Sequence, residues 1–367
     1  MATAFEVASG FARWALSRNL IPALPGAIED EYLAMTQPLA IRPVAEDILR
    51  RRGVSSIVFN DGDAAVYIYT TRKVTQKELD ELPIVLHDCS VSYPHGAIDD
   101  LIAPNCVAQA SPYTISVSPS GGHHYACGSS ISPGNEESAG TLGALVRDAA
   151  GVMYGLTNNH VTGGCNHSPA GLPILAPGVV DVGPGGLSPF TIGHHSRVLP
   201  YVLGTGGNVN IRDNTDAAIF QIADESSVTS MQGREFDTPA LVADPIERMR
   251  VGKVGRTTGY TEGVIIGREL RPVGVKASST KNSFSGNIWF PSVWLVHGDG
   301  REFSAAGDSG SLVVSLNPDG TRSAVGLVFC GGPDSMAPGN AKTYVVPLAP
   351  ILQRLNVSLV SGHNATP

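Results

Sequence analysis

The sequence predicts a mainly β protein with a small α+β unit at its amino end. Three observations carry this prediction. The 42 Gly and 26 Pro are spread along 367 residues rather than clustered, so turns are frequent, as many short strands require. From residue 139 nearly to the end, strand-like apolar runs alternate with turn residues. Apolar residues make up 42% and charged residues 16%, a globular balance in a chain long enough for two or three domains and a sizeable core.

In chain order, Phe5, Phe11, Trp14 and Leu16 fall on a loose helical spacing broken later by Pro22 and Pro25, which predicts a short docking helix. Ile41, Val44, Ile48 and Leu49 repeat that period up to Gly53, with Arg50-Arg51-Arg52 in the last turn, where cations favour the helix dipole. Residues 54–59 and 64–70 read as strands about the turn Asn60-Asp61-Gly62-Asp63. Thr75 and Glu78 stand at capping-box spacing for a helix over 75–82, Pro83 ends it, and 84–93 holds a third strand. No cluster of catalytic residue types occurs here, so residues 1–110 are expected to be an accessory or regulatory domain. Residues 94–138, rich in Pro, Gly, Ser and His, form the boundary to a second domain over 111–360, with 361–367 as a tail. His123-His124 reads as a pair of loop histidines, because adjacent side chains seldom converge on one ion. Residues 141–146 and 152–156 then form a hairpin running into Thr157-Asn158-Asn159-His160-Val161, and 163–207 is loop-like. The acidic turn Asp213-Asn214-Thr215-Asp216 leads into an apolar strand; 251–262, 288–297, 311–316 and 324–329 are further strands, and 347–355 is a closing helix.

A formal charge of −8, with no basic cluster beyond Arg50-Arg51-Arg52, removes the electrostatic footprint of a nucleic-acid binder. No apolar run approaches the ~20 residues that span a bilayer, and Glu6, Arg13 and Arg18 interrupt the amino end where a signal peptide would be apolar. Cys89, Cys106, Cys127, Cys165 and Cys330 are scattered, odd in number and without a CxxC pair. They predict free thiols in a reducing, cytoplasmic setting, with one Cys127–Cys165 disulfide as the open alternative. Asn166-His167-Ser168 and Asn356-Val357-Ser358 match the glycosylation pattern, which arises by chance too often to outweigh this.

Three positions at strand edges carry chemistry: His160, Asp216 and Ser309, the last inside Gly307-Asp308-Ser309-Gly310-Ser311. Serine is a poor nucleophile at neutral pH, so it needs an imidazole to take its proton and a buried carboxylate to fix that imidazole's tautomer. Asp216 is preferred to Asp213 because the apolar strand follows it at once, and Ser309 to Ser311 because Ser311 opens the next strand. An α/β-hydrolase is ruled out: Ser311 stands where GxSxG has its second Gly, and the only histidine after Ser309 is His363 in the tail.

In this order the motifs Thr157-Asn158-Asn159-His160-Val161, Asp216-Ala217-Ala218-Ile219 and Gly307-Asp308-Ser309-Gly310-Ser311 resemble those of the chymotrypsin-like (trypsin-like) serine peptidases. Ala139-Gly140-Thr141-Leu142-Gly143 and Val254-Gly255-Arg256-Thr257-Thr258-Gly259 are similar to the intracellular NARROW LEAF 1-like branch. The resemblance covers about residues 110–360. It implies a chymotrypsin-like double β-barrel, with His160 and Asp216 on the first barrel, Ser309 on the second and the active site between them. It also implies a serine endopeptidase acting on protein or peptide substrates through an acyl-enzyme, without metal or organic cofactor. The oxyanion hole would come from Gly307 and Ser309, and the substrate pocket from Phe303, Phe329, Cys330 and Gly331. Phe303 stands where trypsin-type specificity has an acid, so a preference for Arg or Lys is not expected. In secreted relatives the Asp before the nucleophile engages a new amino terminus after processing. No Arg-Ile-Val-Gly-like site occurs here, so Asp308 needs another partner. The rival reading is a peptidase-fold scaffold that meets a regulatory partner through residues 1–110; an oligomer is compatible with either.

Overall fold

The computed structural model describes residues 2–101, 114–116, 123–183, 188–204, 209–279 and 281–365. Cys106 and the expected boundary at residue 110 lie outside the described residues.

The helix Ala4–Ser17 starts on a capping box: Glu6 N–H donates to Thr3 Oγ1 at 3.1 Å and Thr3 N–H to the Glu6 carboxylate at 2.9 Å. It lays Phe11 and Trp14, both buried, on the hairpin Val54–Asn60 and Ala65–Thr70. Pro43–Arg52 is helical and stops at Gly53, whose φ of 71° suits glycine. The helix expected over 75–82 contracts to Gln76–Leu79 and keeps its Thr75–Glu78 capping box. The single strand expected over 84–93 is instead a small hairpin, Val85–Leu86 and Cys89–Ser92. His87 and Asp88 both take positive φ, 47° and 68°, in the two-residue turn between them. Neither is the Gly or Asn that usually announces such a turn.

The first barrel is an open half-barrel. Its strands run Val357–Leu359, Ala144–Asp148, Met153–Thr157, Ala218–Ile222, Phe190–Val198, Pro173–Ala176, Ser130–Pro133 and Gly140–Thr141. Two of them lie in the stretch 163–207 that reads as loop, because Pro169, Pro173 and Pro177 obscure the alternation. The second barrel is closed: Arg250–Gly255, Leu312–Ser315, Ala324–Pro333, Ala341–Pro347, Trp294–Gly298 and Gly259–Glu269, the last pairing back to the first. The expected strand 251–262 is therefore a hairpin that turns through Arg256-Thr257-Thr258. The expected strand 288–297 divides into Phe284–Phe290 and Trp294–Gly298, with Ser292 at φ 57° between them.

The α+β unit is joined to this second barrel through the backbone, since Val58 pairs with Glu269 and Phe59 with Arg268. The closing helix Leu348–Leu355 buries Leu348, Ile351, Leu352 and Leu355, one face at helical spacing, and the strand after it returns to Ala144–Asp148 of the first barrel. Among the described residues no helix is long and apolar enough to cross a membrane.

Candidate active site

The hairpin strand Met153–Thr157 ends in the helical turn Asn159–Thr162, which carries His160. Thr157 pairs with Ala218, so the chain two residues ahead of Ala218 arrives beside that turn and brings Asp216 to His160. Asp216 Oδ2 lies 2.5 Å from His160 Nδ1, and Asp216 Oδ1 accepts the His160 backbone N–H at 3.1 Å. The carboxylate is fully buried, and Asn158 Nδ2 fixes its backbone by donating to Asp216 O at 2.7 Å. With Nδ1 engaged, Nε2 is the ring nitrogen left to take a proton. Asp213, the rival acid, is exposed, and its carbonyl accepts from Arg354 Nη1 at 2.6 Å.

Ser309 lies on the turn before Leu312–Ser315, and its Oγ donates to Phe329 O at 3.4 Å. Among the described residues it makes no hydrogen bond to His160. Ser311 is buried and structural, its Oγ donating to Asp308 O at 2.6 Å. The carbonyls of residues 306–309 are held from behind. Ala306 O accepts from Thr257 Oγ1 at 2.7 Å, Gly307 O from Thr141 Oγ1 at 2.9 Å and Ser309 O from Thr141 N–H at 2.9 Å. A trans peptide points its N–H opposite to its C=O. Anchoring Ala306 O and Asp308 O therefore turns the N–H groups of Gly307 and Ser309 the other way, and among the described residues neither has a partner within the chain. Two unpartnered N–H groups beside a serine hydroxyl can stabilise an oxyanion.

Asp308 has the partner it needed. Lys253 Nζ lies 3.2 Å from Asp308 Oδ2, with both side chains fully buried. Oδ2 also accepts from Thr258 Oγ1 at 2.7 Å and Ala305 N–H at 3.0 Å, and Oδ1 from the N–H groups of Thr257 and Thr258 at 2.7 and 3.2 Å. The ammonium completes its contacts with Thr258 Oγ1 and, at 3.1 Å, Gly259 O. Burial pulls Lys253 below its usual pKa, and the Asp308 charge opposes that pull. Beside this pair, Arg256 forms a buried bidentate ion pair with Asp181, Nε to Oδ2 at 2.7 Å and Nη2 to Oδ1 at 2.5 Å.

His160 and Ser309 line one cleft of roughly 780 Å³, together with Gly307, Phe329, Cys330 and Gly331. Burial pushes the Cys330 thiol well above its ordinary pKa. Phe303 is elsewhere. It is fully buried among Val251, Ile265, Val296 and Val313 inside the second barrel, and alternation along the chain turns its neighbours Glu302 and Ser304 to the cleft instead. Cys89, Cys127, Cys165 and Cys330 are free thiols, which removes the Cys127–Cys165 disulfide.

Two β-barrels, with the cleft lined from both, define the chymotrypsin-like double-barrel fold. No family model matches the chain. It is 24% identical over 396 residues to Protein NARROW LEAF 1 of Oryza sativa subsp. japonica, an alignment covering 94% of this chain and 64% of that protein. The chain thus spans about 64% of the length of this curated relative. Similar solved structures include Thermobifida fusca Protease A, with TM-score 0.40 and 16% identity, covering 65% of this chain and 100% of the other. Nocardiopsis Protease gives TM-score 0.40 and 19% identity, covering 64% and 97%.

Lys253, the Thr257-Thr258 clamp and the Arg256–Asp181 pair complete the site beyond what the sequence motifs predict. A signal for Lys253 exists: it is the lone charge inside Val251-Gly252-Lys253-Val254-Gly255, an apolar strand in which a buried cation demands a partner.

Proposed function

We propose that this chain is a serine endopeptidase of the chymotrypsin-like type, related to the NARROW LEAF 1-like branch. The observation that carries the reading is the convergence on one cleft of Ser309, the Asp216–His160 pair and the two unpartnered N–H groups of Gly307 and Ser309. In the proposed reaction Ser309 Oγ attacks the peptide carbonyl and gives its proton to His160 Nε2. Asp216 holds the imidazole and stabilises its charge. The N–H groups of Gly307 and Ser309 receive the oxyanion, a contribution of about 3–4 kcal/mol per donor in such sites. His160 then returns the proton to the leaving amine, and water, deprotonated by the same nitrogen, releases the acyl group.

The substrate is a protein or peptide, received in a cleft whose wall carries Ser304, Ala305 and Gly331 together with the charged Glu302 and Lys342. The four free cysteines support a reducing, cytoplasmic setting. A second reading, a regulated scaffold with little basal activity, is favoured by one observation: Ser309 Oγ is bonded to Phe329 O rather than to His160. In either case residues 1–110 would receive the regulatory partner, and the pairing of Val58 and Phe59 with the second barrel supports that role. Cleavage of casein by the wild type and its loss in Ser309→Ala is the test; cleavage undiminished in the variant would sink the peptidase reading.

A further inference from the structure

Residues 94–101 leave the N-terminal hairpin and run along the second barrel. Thr70 N–H donates to Pro94 O and Gly96 N–H to Thr70 O, each at 2.9 Å, while Ser335 N–H donates to His95 O at 3.1 Å. Further on, Asp99 N–H donates to Gly331 O at 2.9 Å and Leu101 N–H to Lys276 O at 2.8 Å. The Leu101 side chain is buried, and Ile98 packs against the core between the barrels. The approach is close enough that a Cβ at Gly332 would stand 2.3 Å from Ala97 O.

The strand Ala324–Pro333 explains why this course matters. On one side Ala341–Pro347 covers it from Gly326 to Pro333. On the other, Leu312–Ser315 reaches only Leu327, and the Gly310 and Ser311 backbone reaches Val328. Past Val328 that edge faces the cleft: Phe329 O meets Ser309 Oγ, and Gly331 O meets Asp99. A peptide whose scissile carbonyl reaches Ser309 has to lay neighbouring residues along this edge, whose free backbone groups are natural partners for an added strand. Asp99 already takes one of them, and Asp99, Asp100 and Leu101 line the same cleft as Ser309.

We propose that residues 97–101 are a self-docked strap on the peptide-binding edge, an autoinhibitory contact that extended substrates must displace and short ones need not. The proposal rests on the peptidase reading. At the edge itself one backbone hydrogen bond, Asp99 N–H to Gly331 O, holds the strap, while Ile98 and the buried Leu101 anchor it on either side. It lies between the α+β unit and the cleft, where binding to that unit can shift it.

Two variants test the strap. Asp99→Pro deletes the N–H that meets Gly331, and Ile98→Ala removes the side chain that packs the strap against the core between the barrels. Three probes are used on the full chain: a small alkyl fluorophosphonate, a single-residue p-nitrophenyl ester, and internally quenched peptides with six residues before the scissile bond. Both variants should label and cleave the ester at wild-type rates, yet cleave the long peptides about three- to tenfold faster. A long-peptide to ester ratio equal to wild type in both variants overturns the strap while leaving the peptidase reading intact. Absence of labelling in wild type and variants alike overturns the peptidase reading and the strap with it. In the wild type, amide exchange at residues 97–101 should rise once a tetrapeptidyl phosphonate occupies Ser309; unchanged exchange in the labelled protein also overturns the strap.

Discussion

Lys253 Nζ lies 3.2 Å from Asp308 Oδ2 with both side chains out of solvent, so an internal cation holds the carboxylate next to Ser309 without a newly cut amino terminus. Removing one partner of such a pair leaves an uncompensated buried charge. Lys253→Met should therefore cost about 3–5 kcal/mol in urea unfolding. It should also slow labelling of Ser309, because the turn that aims the Gly307 and Ser309 N–H groups loses its anchor. Adding Asp308→Asn should recover part of the stability; no recovery would mean the two residues are not coupled.

Asp216 Oδ2 lies 2.5 Å from His160 Nδ1, and in the proposed reaction this carboxylate sets the imidazole's tautomer. Asp216→Asn keeps the size of the side chain and can present an N–H where an acceptor is needed. It should lower kcat by about 10⁴ with the melting temperature little changed. A variant within tenfold of wild type, read on a fluorogenic peptide, would assign the base another partner.

Gly307 has φ 97°, and a Cβ there would stand 2.5 Å from Arg256 Nη1 and 2.6 Å from Thr257 Oγ1. Gly307→Ala must therefore move the turn against the Arg256–Asp181 pair. The expected loss is about 10²–10³ in kcat with KM nearly constant, as for removal of an oxyanion donor. A change confined to KM would speak against a role for this N–H in the transition state.

Glu269 is buried where the α+β hairpin meets the second barrel and accepts from Tyr344 Oη at 2.6 Å. Burial pushes its carboxyl up from 4.5 to about 7. Between those values the folded chain keeps a proton that the unfolded chain has lost, so stability falls as pH rises from about 4.5 to about 7 and levels off above. The size of this fall is on the order of 3 kcal/mol. Glu269→Gln should flatten that slope in urea titrations at pH 5, 6, 7 and 8; an identical slope would mean another group carries it.

The candidate site was legible to the extent that its chemistry lies in local sequence. His160, Asp216 and Ser309 each sit where an apolar strand meets a polar turn, and the structure brings His160 to Asp216 and sets His160 and Ser309 on one cleft. Gly307-Asp308 and Ala139-Gly140-Thr141 were visible as motifs, yet their use depends on long-range contact, as when Thr141 holds the carbonyls of Gly307 and Ser309. Lys253 was overlooked because its meaning lies in a partner 55 residues away. Phe303 was misread because its neighbours, not Phe303, turn to the cleft. In the fold, the strands about Asn60-Asp61-Gly62-Asp63 and those about Ala149-Ala150-Gly151 are legible from their turns. Strands split by His87-Asp88, by Ser292 or by Arg256-Thr257-Thr258 read as single strands, because none of these turns carries the Asn-Gly or Asp-Gly pair that announces a hairpin.

The most direct measurement is mass spectrometry of the chain after reaction with a fluorophosphonate. The account predicts a single adduct on the peptide containing Ser309, absent in Ser309→Ala and strongly slowed in His160→Ala. An adduct mapped to another residue, or equal labelling of Ser309→Ala, would contradict it.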